Sequence, residues 1–261
     1  MLMNFFNYMP LIFTYTPLEQ FTIICLIPMH IGSFYISFTN SSFFMGLPVV
    51  LSLILLSLVT SNGGTYLPNK WQSFVEIVHA FVVSLVHEQI GDKGQKYFPL
   101  IFVLFTFLLT SNLIGMVPYG FTTTSHFIVT FGLSVSLFIG VTIIGFHTHG
   151  IHFFSLFLPP GAPLGLAPFL VIIEVVSYGF RAISLGVRLF ANMLAGHTLV
   201  KILSGFAWSM MSFGGALQIA AVIPFVIVWA LMFLEIGVAC LQAYVFAILT
   251  CIYLNDAIHL H

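Results

Sequence analysis

The residues with chemistry to offer in this chain are ionisable groups set inside apolar segments. Between Glu174 and Lys201 the run EVVSYGFRAISLGVRLFANMLAGHTLVK carries Glu174, Arg181, Arg188 and Asn192 among Leu, Val, Ile and Phe. On a helix turning about 100° per residue, Glu174, Ser177, Arg181, Ser184, Arg188 and Asn192 fall on one stripe, at spacings of three or four. Beside it, Ala182, Gly186, Ala191, Ala195 and Gly196 are small enough to admit another helix closely. An arginine at the centre of a bilayer costs about 3 kcal/mol on insertion scales and about 10 or more in simulations. The chain has only 6 Lys and Arg, yet Arg181, Arg188 and Lys201 all lie in this run. Ionisable groups placed so mark ion pathways and proton relays.

A second set lies near the C-terminus. Glu235 and Gln242 are seven apart and so share a face, and Asp256 follows two heptads later, with Gln218 at the start of the segment. Each polar seam needs a partner, and the other seam is the obvious one. Several of these residues also have a plain structural reading. Glu174 and Arg181 make an internal ion pair, Glu235 is a protonated, hydrogen-bonded carboxyl, or His197 is a satisfied core histidine. Arg188 resists that treatment, because no carboxylate of its own segment is within four residues and guanidinium stays charged.

Composition decides the class without any motif. The 261 residues are 60% hydrophobic and 5% charged, with a mean hydropathy of +1.13, where a soluble domain is about 25% charged. This is a polytopic membrane protein, and the lipid bilayer is its first partner. A net charge of −1 offers no basic face for nucleic acid. Cys25, Cys240 and Cys251 stand singly in apolar segments, which argues against disulfides or a structural metal. Ten histidines invite a haem or metal reading. His147, His149 and His152 bunch in one loop, His259 and His261 lie on the tail, and only His197 is within a span. No facing axial pair and no converging carboxylate or thiol results, so neither cofactor nor metal is expected.

The elements follow from hydropathy and turn residues. Residues 1–15 lack Lys and Arg and read as a short leader or as the beginning of the first segment; residues 16–261 form a single membrane domain. Asn40-Ser41-Ser42 matches a glycosylation triplet, a pattern common by chance. The first span is predicted over 34–60, interrupted by Pro48, with a turn at Asn62-Gly63-Gly64 and Pro68. Over 71–90, Trp71, Phe74, Val75, Val78, Val82, Leu85 and Val86 repeat at helical spacing opposite Glu76, His79, His87 and Glu88. That pattern predicts a helix lying in the interface. A polar GDKGQK turn leads to a helical hairpin over 97–146, closed in the middle by Pro118-Tyr119-Gly120 and the polar run 122–125. A His-, Gly- and Pro-rich loop covers 147–168. Two long segments follow, about 166–204 and 216–256, separated by a turn over 205–215. Both exceed the roughly 20 residues needed to cross upright, so they are expected to be strongly tilted, the second bent at Pro224. The expectation is an all-α polytopic protein with about five membrane helices and one interfacial amphipathic helix. Lys70, Lys93 and Lys96 flank the interfacial helix and place that loop, and with it the C-terminus, on the side of synthesis.

Four stretches carry a resemblance. SLGVRLFANMLAGH with the upstream FLVIIEVVSYGFRA, LTSNLIGMVPY (109–119), FFSLFLPPGAPLGLAP (153–168) and LEIGVACLQAYVFAILTCIYLNDAIHLH resemble the subunit a family of F-type ATP synthases. The similarity runs from Pro17 to His261. The ending YLNDAIHLH and the start TPLEQF suggest a fungal-like mitochondrial member.

The resemblance implies a proton-conducting stator subunit in the mitochondrial inner membrane. Its N-terminus would face the intermembrane space and its C-terminus the matrix. Arg188 would be the family's essential stator arginine, facing the ring of c subunits. His197 and Glu235 would line an inlet half-channel, with Gln242 close to Arg188; Glu174 and Asp256 would belong to an outlet half-channel. Arg181, Ser184, Asn192 and Gly196 would support them as polar or close-packing neighbours. The c-ring, peripheral-stalk and other small membrane subunits of the same complex are the implied partners. Relatives commonly carry Glu where this chain has His197 and His where it has Glu235, which makes a shared relay of the pair. On a regular helix His197 points about 180° from Arg188, so either the helix is distorted or an inlet opens on another face. No G-x-x-x-x-G-K-[ST] loop is present, and the chain alone is not expected to be an enzyme. A secondary transporter would need internal repeats, and a respiratory-complex subunit would need facing histidines; the sequence offers neither.

Overall fold

The computed structural model describes residues 16–31, 34–35, 37–61, 68–117, 120–157, 167–213 and 215–259. The expected leader, the Asn62-Gly63-Gly64 turn, Pro118-Tyr119, residues 158–166 of the His- and Pro-rich loop and His261 lie outside these.

A 3-10 turn, Pro17–Phe21, opens the described chain, followed by short strands. β1 (Cys25–Ile27) pairs with β4 (Phe38–Thr39), and β2 (His30–Ile31) with β3 (Phe34–Tyr35), both antiparallel. The first span therefore starts later than the predicted residue 34, at Asn40. Asn40 explains the switch. Its side chain accepts from the Ile24 and Ser41 amides at 3.1 and 2.8 Å and donates to the Thr22 carbonyl at 3.1 Å. That clips the strand layer to the first helical turn and occupies the carboxamide that the glycosylation triplet would present.

Among the described residues there are seven α-helices: α1 (Asn40–Ser61), α2 (Lys70–Ile90), α3 (Phe98–Gly115), α4 (Phe127–His149), α5 (Ala167–Phe213), α6 (Ala216–Ala220) and α7 (Val222–Ile258). Six helical segments, α6 and α7 counting as one, are long and apolar enough to cross a membrane, and α2 has the lowest mean hydropathy of them, 1.3. The protein is an all-α polytopic membrane protein.

The packing of α2 follows its polarity pattern over most of its length and departs from it in the first turns, at Trp71 and Phe74. Val82, Leu85, Val86 and Ile90 are buried, but Trp71 and Phe74 are 66% and 53% exposed. His79, placed on the polar side by sequence, packs against the rings of Phe98 and Phe102, with centroids 4.9 and 5.9 Å away. The part of α2 that meets α3 and α7 is the best covered, and along it Val82, Leu85, Val86 and Ile90 turn inward while Glu76, His79, His87 and Glu88 stay exposed.

The turn predicted over 205–215 is helical as far as Phe213, and the chain reverses at Gly215, with φ 66°. A glycine costs about 1 kcal/mol inside a helix. An unmade backbone hydrogen bond in lipid costs several, so the helix continues through Gly205. The break expected from Pro224 falls at Ala221, between α6 and α7, because a proline can neither donate to the carbonyl four residues back, Ala220, nor pack against it.

The centre of the bundle is α3, α4, α5 and α7. Ala182, Leu185, Leu189 and Met193 form the buried stripe of α5, facing Ala239, Ala243, Phe246, Ala247 and Cys251 of α7 and the inner side of α4. At Gly186 a Cβ would fall 3.1 Å from the Phe131 Cα and 3.2 Å from the Thr130 carbonyl oxygen. The α4 and α5 backbones touch there, and the Ser134 hydroxyl donates to the Ala182 carbonyl in the same contact.

Candidate functional site

The polar seams of α5 and α7 meet as an antiparallel ladder. At one end His197 Nδ1 lies 3.4 Å from Glu235 Oε1. In the middle Asn192 Nδ2 donates to Gln242 Oε1 at 2.8 Å. At the other end Arg181 Nη1 donates to Asp256 Oδ2 at 2.8 Å. As the α5 number falls, the α7 number rises, which is the register of two helices running in opposite directions. Heptad placement sets Gln242 and Asp256 against Asn192 and Arg181 of the α5 stripe, and Glu235 against Gly196 and His197 beyond its end.

The two ends differ in character. At the Arg181 end, Glu174 Oε1 is 4.0 Å from Arg181 Nη2, and the guanidinium lies over the rings of Tyr178 and Tyr253, 5.9 and 5.7 Å from their centroids. Two carboxylates and two aromatic faces thus surround one cation. At the His197 end Glu235 is 6% exposed and packed against Gly196, where a Cβ would come within 2.8 Å of its Oε1. The sequence reading paired Glu174 with Arg181; Asp256 holds the guanidinium more closely.

Arg188 lies between these ends. It is exposed on the outer side of α5, as are Ser184 and Asn192. Among the described residues it has no hydrogen-bond or ion-pair partner. Gln242, buried at 1%, is held by Asn192. Helix α5 is unbroken from Arg188 to His197, so the half-turn between them is a real difference of facing. A cleft of about 240 Å³, lined by Asn192, Gly196, Leu199, Leu234, Glu235 and Val238 among others, opens between α5 and α7. It gives Glu235 access to the outside of the helix pair.

Sequence reasoning missed a hydroxyl cluster contributed by the loop between α3 and α4. Thr122, Thr123, Thr124 and Ser125 are all buried. Thr122 Oγ1 is 3.1 Å from His197 Nε2, and Thr123 shares a hydrogen bond with Ser111 at 3.0 Å. Ser111, Thr123, Thr124 and Thr130 line a second cleft, of about 450 Å³, among α1, α3 and α4. Asn112, wholly buried on α3, donates to the Ala239 carbonyl at 3.2 Å, between the levels of Glu235 and Gln242. A four-residue hydroxyl run beside a proline turn is the signal that could have found this cluster. Among the described residues no group of three or more His, Cys, Asp or Glu could hold a metal ion.

Comparison with known proteins assigns the chain. The family model for the ATP synthase A chain matches residues 42–255. The ATP synthase subunit a of Marchantia polymorpha is 66% identical over 94% of this chain and 99% of its own length. Subunit a-2 of Arabidopsis thaliana is 60% identical over 98% of this chain and 75% of its own. Subunit a of Oenothera berteroana is 60% identical over 95% and 90%. The ends of the chain suggest a fungal-like member, yet these three relatives are plant proteins. With most of its length matched and six spans' worth of apolar helix, the chain belongs to the ATP synthase A chain family, the subunit a of F-type ATP synthases, in the proton-translocating membrane sector of that complex.

Proposed function

We propose that the chain provides two offset proton half-channels in the mitochondrial inner membrane and that Arg188 separates them. The observation carrying this reading is the placement of Arg188: exposed, unpaired among the described residues, and set between two partnered polar clusters. A permanent cation left unneutralised within an apolar helix needs an anion from outside the chain. A carboxylate on each subunit of the c-ring supplies one.

Protons enter through His197 and Glu235 from the intermembrane space and neutralise a ring carboxylate. The neutral carboxyl then crosses the lipid at little cost, since the charge that lipid excludes is gone. After rotation it meets the path lined by Glu174 and Asp256 and releases its proton towards the matrix. Arg188 attracts the ionised carboxylate, favouring release, and repels a proton that would cross directly. A proton gains about 2.3 kcal/mol per 100 mV, so several must be coupled through rotation for each ATP. Peripheral-stalk and other small membrane subunits hold the chain still against the ring.

The test is Arg188→Ala in the reconstituted complex. ATP-driven proton pumping should vanish while the subunit still assembles; pumping at the wild-type rate would remove Arg188 from this role.

A further inference from the structure

We propose that Thr122 is a positioning residue that fixes which ring nitrogen of His197 carries its proton. The inference rests on the reading of His197 and Glu235 as a proton path, and it concerns the direction in which that pair can work.

The Thr122 hydroxyl has two neighbours of different kinds. Its Oγ1 is 3.4 Å from the Gly115 carbonyl oxygen, which only accepts. It is 3.1 Å from His197 Nε2. With its hydrogen directed at Gly115, the hydroxyl offers a lone pair to Nε2, which must therefore carry the hydrogen. The other nitrogen, Nδ1, is then bare in the neutral ring and stands 3.4 Å from Glu235 Oε1. A proton on the Glu235 carboxyl passes to Nδ1, leaving a carboxylate and an imidazolium, and the reverse transfer restores both. In the opposite tautomer Nδ1–H would donate to the carboxylate, and no bare nitrogen would face it. The relay would stop there.

The surroundings are shaped for this contact. Thr122 is 3% exposed. A Cβ at Gly115 would fall 2.7 Å from the Thr122 Cγ2 and 2.9 Å from Oγ1, so a glycine is what admits the threonine. The Phe21 ring meets the imidazole edge-on, with centroids 6.5 Å apart. Among the described residues, Glu235 of α7 is the ionisable group in contact with the ring. Exposed Glu19 is two residues before Phe21, the α3–α4 loop ends in His126 stacked on Phe121, and Lys201 is one turn further along α5.

The experiment compares Thr122→Val, which keeps the shape and loses the hydroxyl, with Thr122→Ser, which keeps the hydroxyl. Both are made in the whole complex, reconstituted in liposomes, and proton pumping is followed between about pH 5 and 8, the range in which imidazole titrates. Thr122→Val should slow transport about tenfold, the scale of one net hydrogen bond. Its alkaline limb should move to lower pH, because the imidazolium has lost an acceptor. Thr122→Ser should match wild type in both respects. Should Thr122→Val fail to assemble, Gly115→Ala, which pushes the hydroxyl away, is read by the same two measures. The proposal is overturned by a Thr122→Val complex with wild-type rate and profile. It is equally overturned if Thr122→Ser is as slow as Thr122→Val with an unmoved profile. Glu235→Gln separates the two layers: normal transport in it sinks the relay itself, whereas slow transport in it beside a normal Thr122→Val sinks only the role of Thr122.

Discussion

Arg181 and Asp256, 75 residues apart in the chain, meet at 2.8 Å near one end of the α5–α7 ladder. Their side chains are 31% and 30% exposed, and the guanidinium also lies over Tyr178 and Tyr253. A charge-assisted hydrogen bond contributes about 1.5–3 kcal/mol, and partial exposure lowers that. Asp256→Ala should therefore destabilise the subunit by roughly 1–2 kcal/mol. Arg181→Lys should recover little, because an ammonium cannot lie flat over two rings or fork to two carboxylates. Heat-induced release of the subunit from the purified complex measures both.

Gly196 and Gly186 separate function from assembly. A Cβ at Gly196 would come 2.8 Å from Glu235 Oε1 and 3.1 Å from its Cδ. The obstructed group is the end of a flexible side chain, so it can swing aside. Gly196→Ala should leave the subunit in the complex and cut proton transport about tenfold or more, as a general acid displaced from its partner does. Blotting for assembly and pumping assays on the same membranes check the two halves.

At Gly186 the obstruction is backbone, the Phe131 Cα and the Thr130 carbonyl at 3.1 and 3.2 Å. Neither can step aside unless α4 moves. Gly186→Leu should prevent assembly altogether, with overpacking of at least about 1–3 kcal/mol. Gly186→Ala, needing only tenths of an ångström, should assemble with reduced heat resistance. Equal behaviour of the two variants would contradict the close approach of these helices.

His126 caps α4 outside the spans, stacked on Phe121 with centroids 5.0 Å apart, and its buried Nε2 has no partner among the described residues. Burial holds its pKa below the usual 6.5. A histidine depressed in the folded state binds fewer protons there than when unfolded. The stability it allows is thus intact above about pH 6.5 and falls as the pH drops below that value. Heat resistance of the wild-type complex should decline from pH 7 to 5, and His126→Phe, which keeps the stack, should flatten that decline. A slope unchanged by the substitution would remove His126 as its source.

Much of this was legible in the sequence, and the limits have physical causes. Apolar length predicts the spans, and three- and four-residue spacing places Glu174, Arg181, Arg188 and Asn192 on one stripe. Heptad spacing sets Gln242 and Asp256 against it and Glu235 against His197 beyond its end. What periodicity cannot supply is the partner: Asp256 rather than Glu174 holds Arg181 most closely, and Asn192 holds Gln242. Those choices depend on the register between helices far apart in sequence. The helix through Gly205 went against turn chemistry learned in water, where a broken backbone hydrogen bond finds a replacement. The Thr122–His197 contact needed a loop folded back onto α5, which no local pattern encodes.

Helix α5 has 47 residues, roughly 70 Å of length at 1.5 Å per residue, against about 30 Å of hydrocarbon. Its apolar ends, with Phe169 65% and Trp208 67% exposed, keep it from standing upright in water on either side. It must lean until most of its length runs along the plane of the sheet of lipid. The sixteen steps from Arg181 to His197 then span about 24 Å of axis, and the larger part of that is sideways displacement rather than depth. Two clusters so displaced cannot reach one another through their own side chains, and on the function proposed above a carrier moving past would be what joins them.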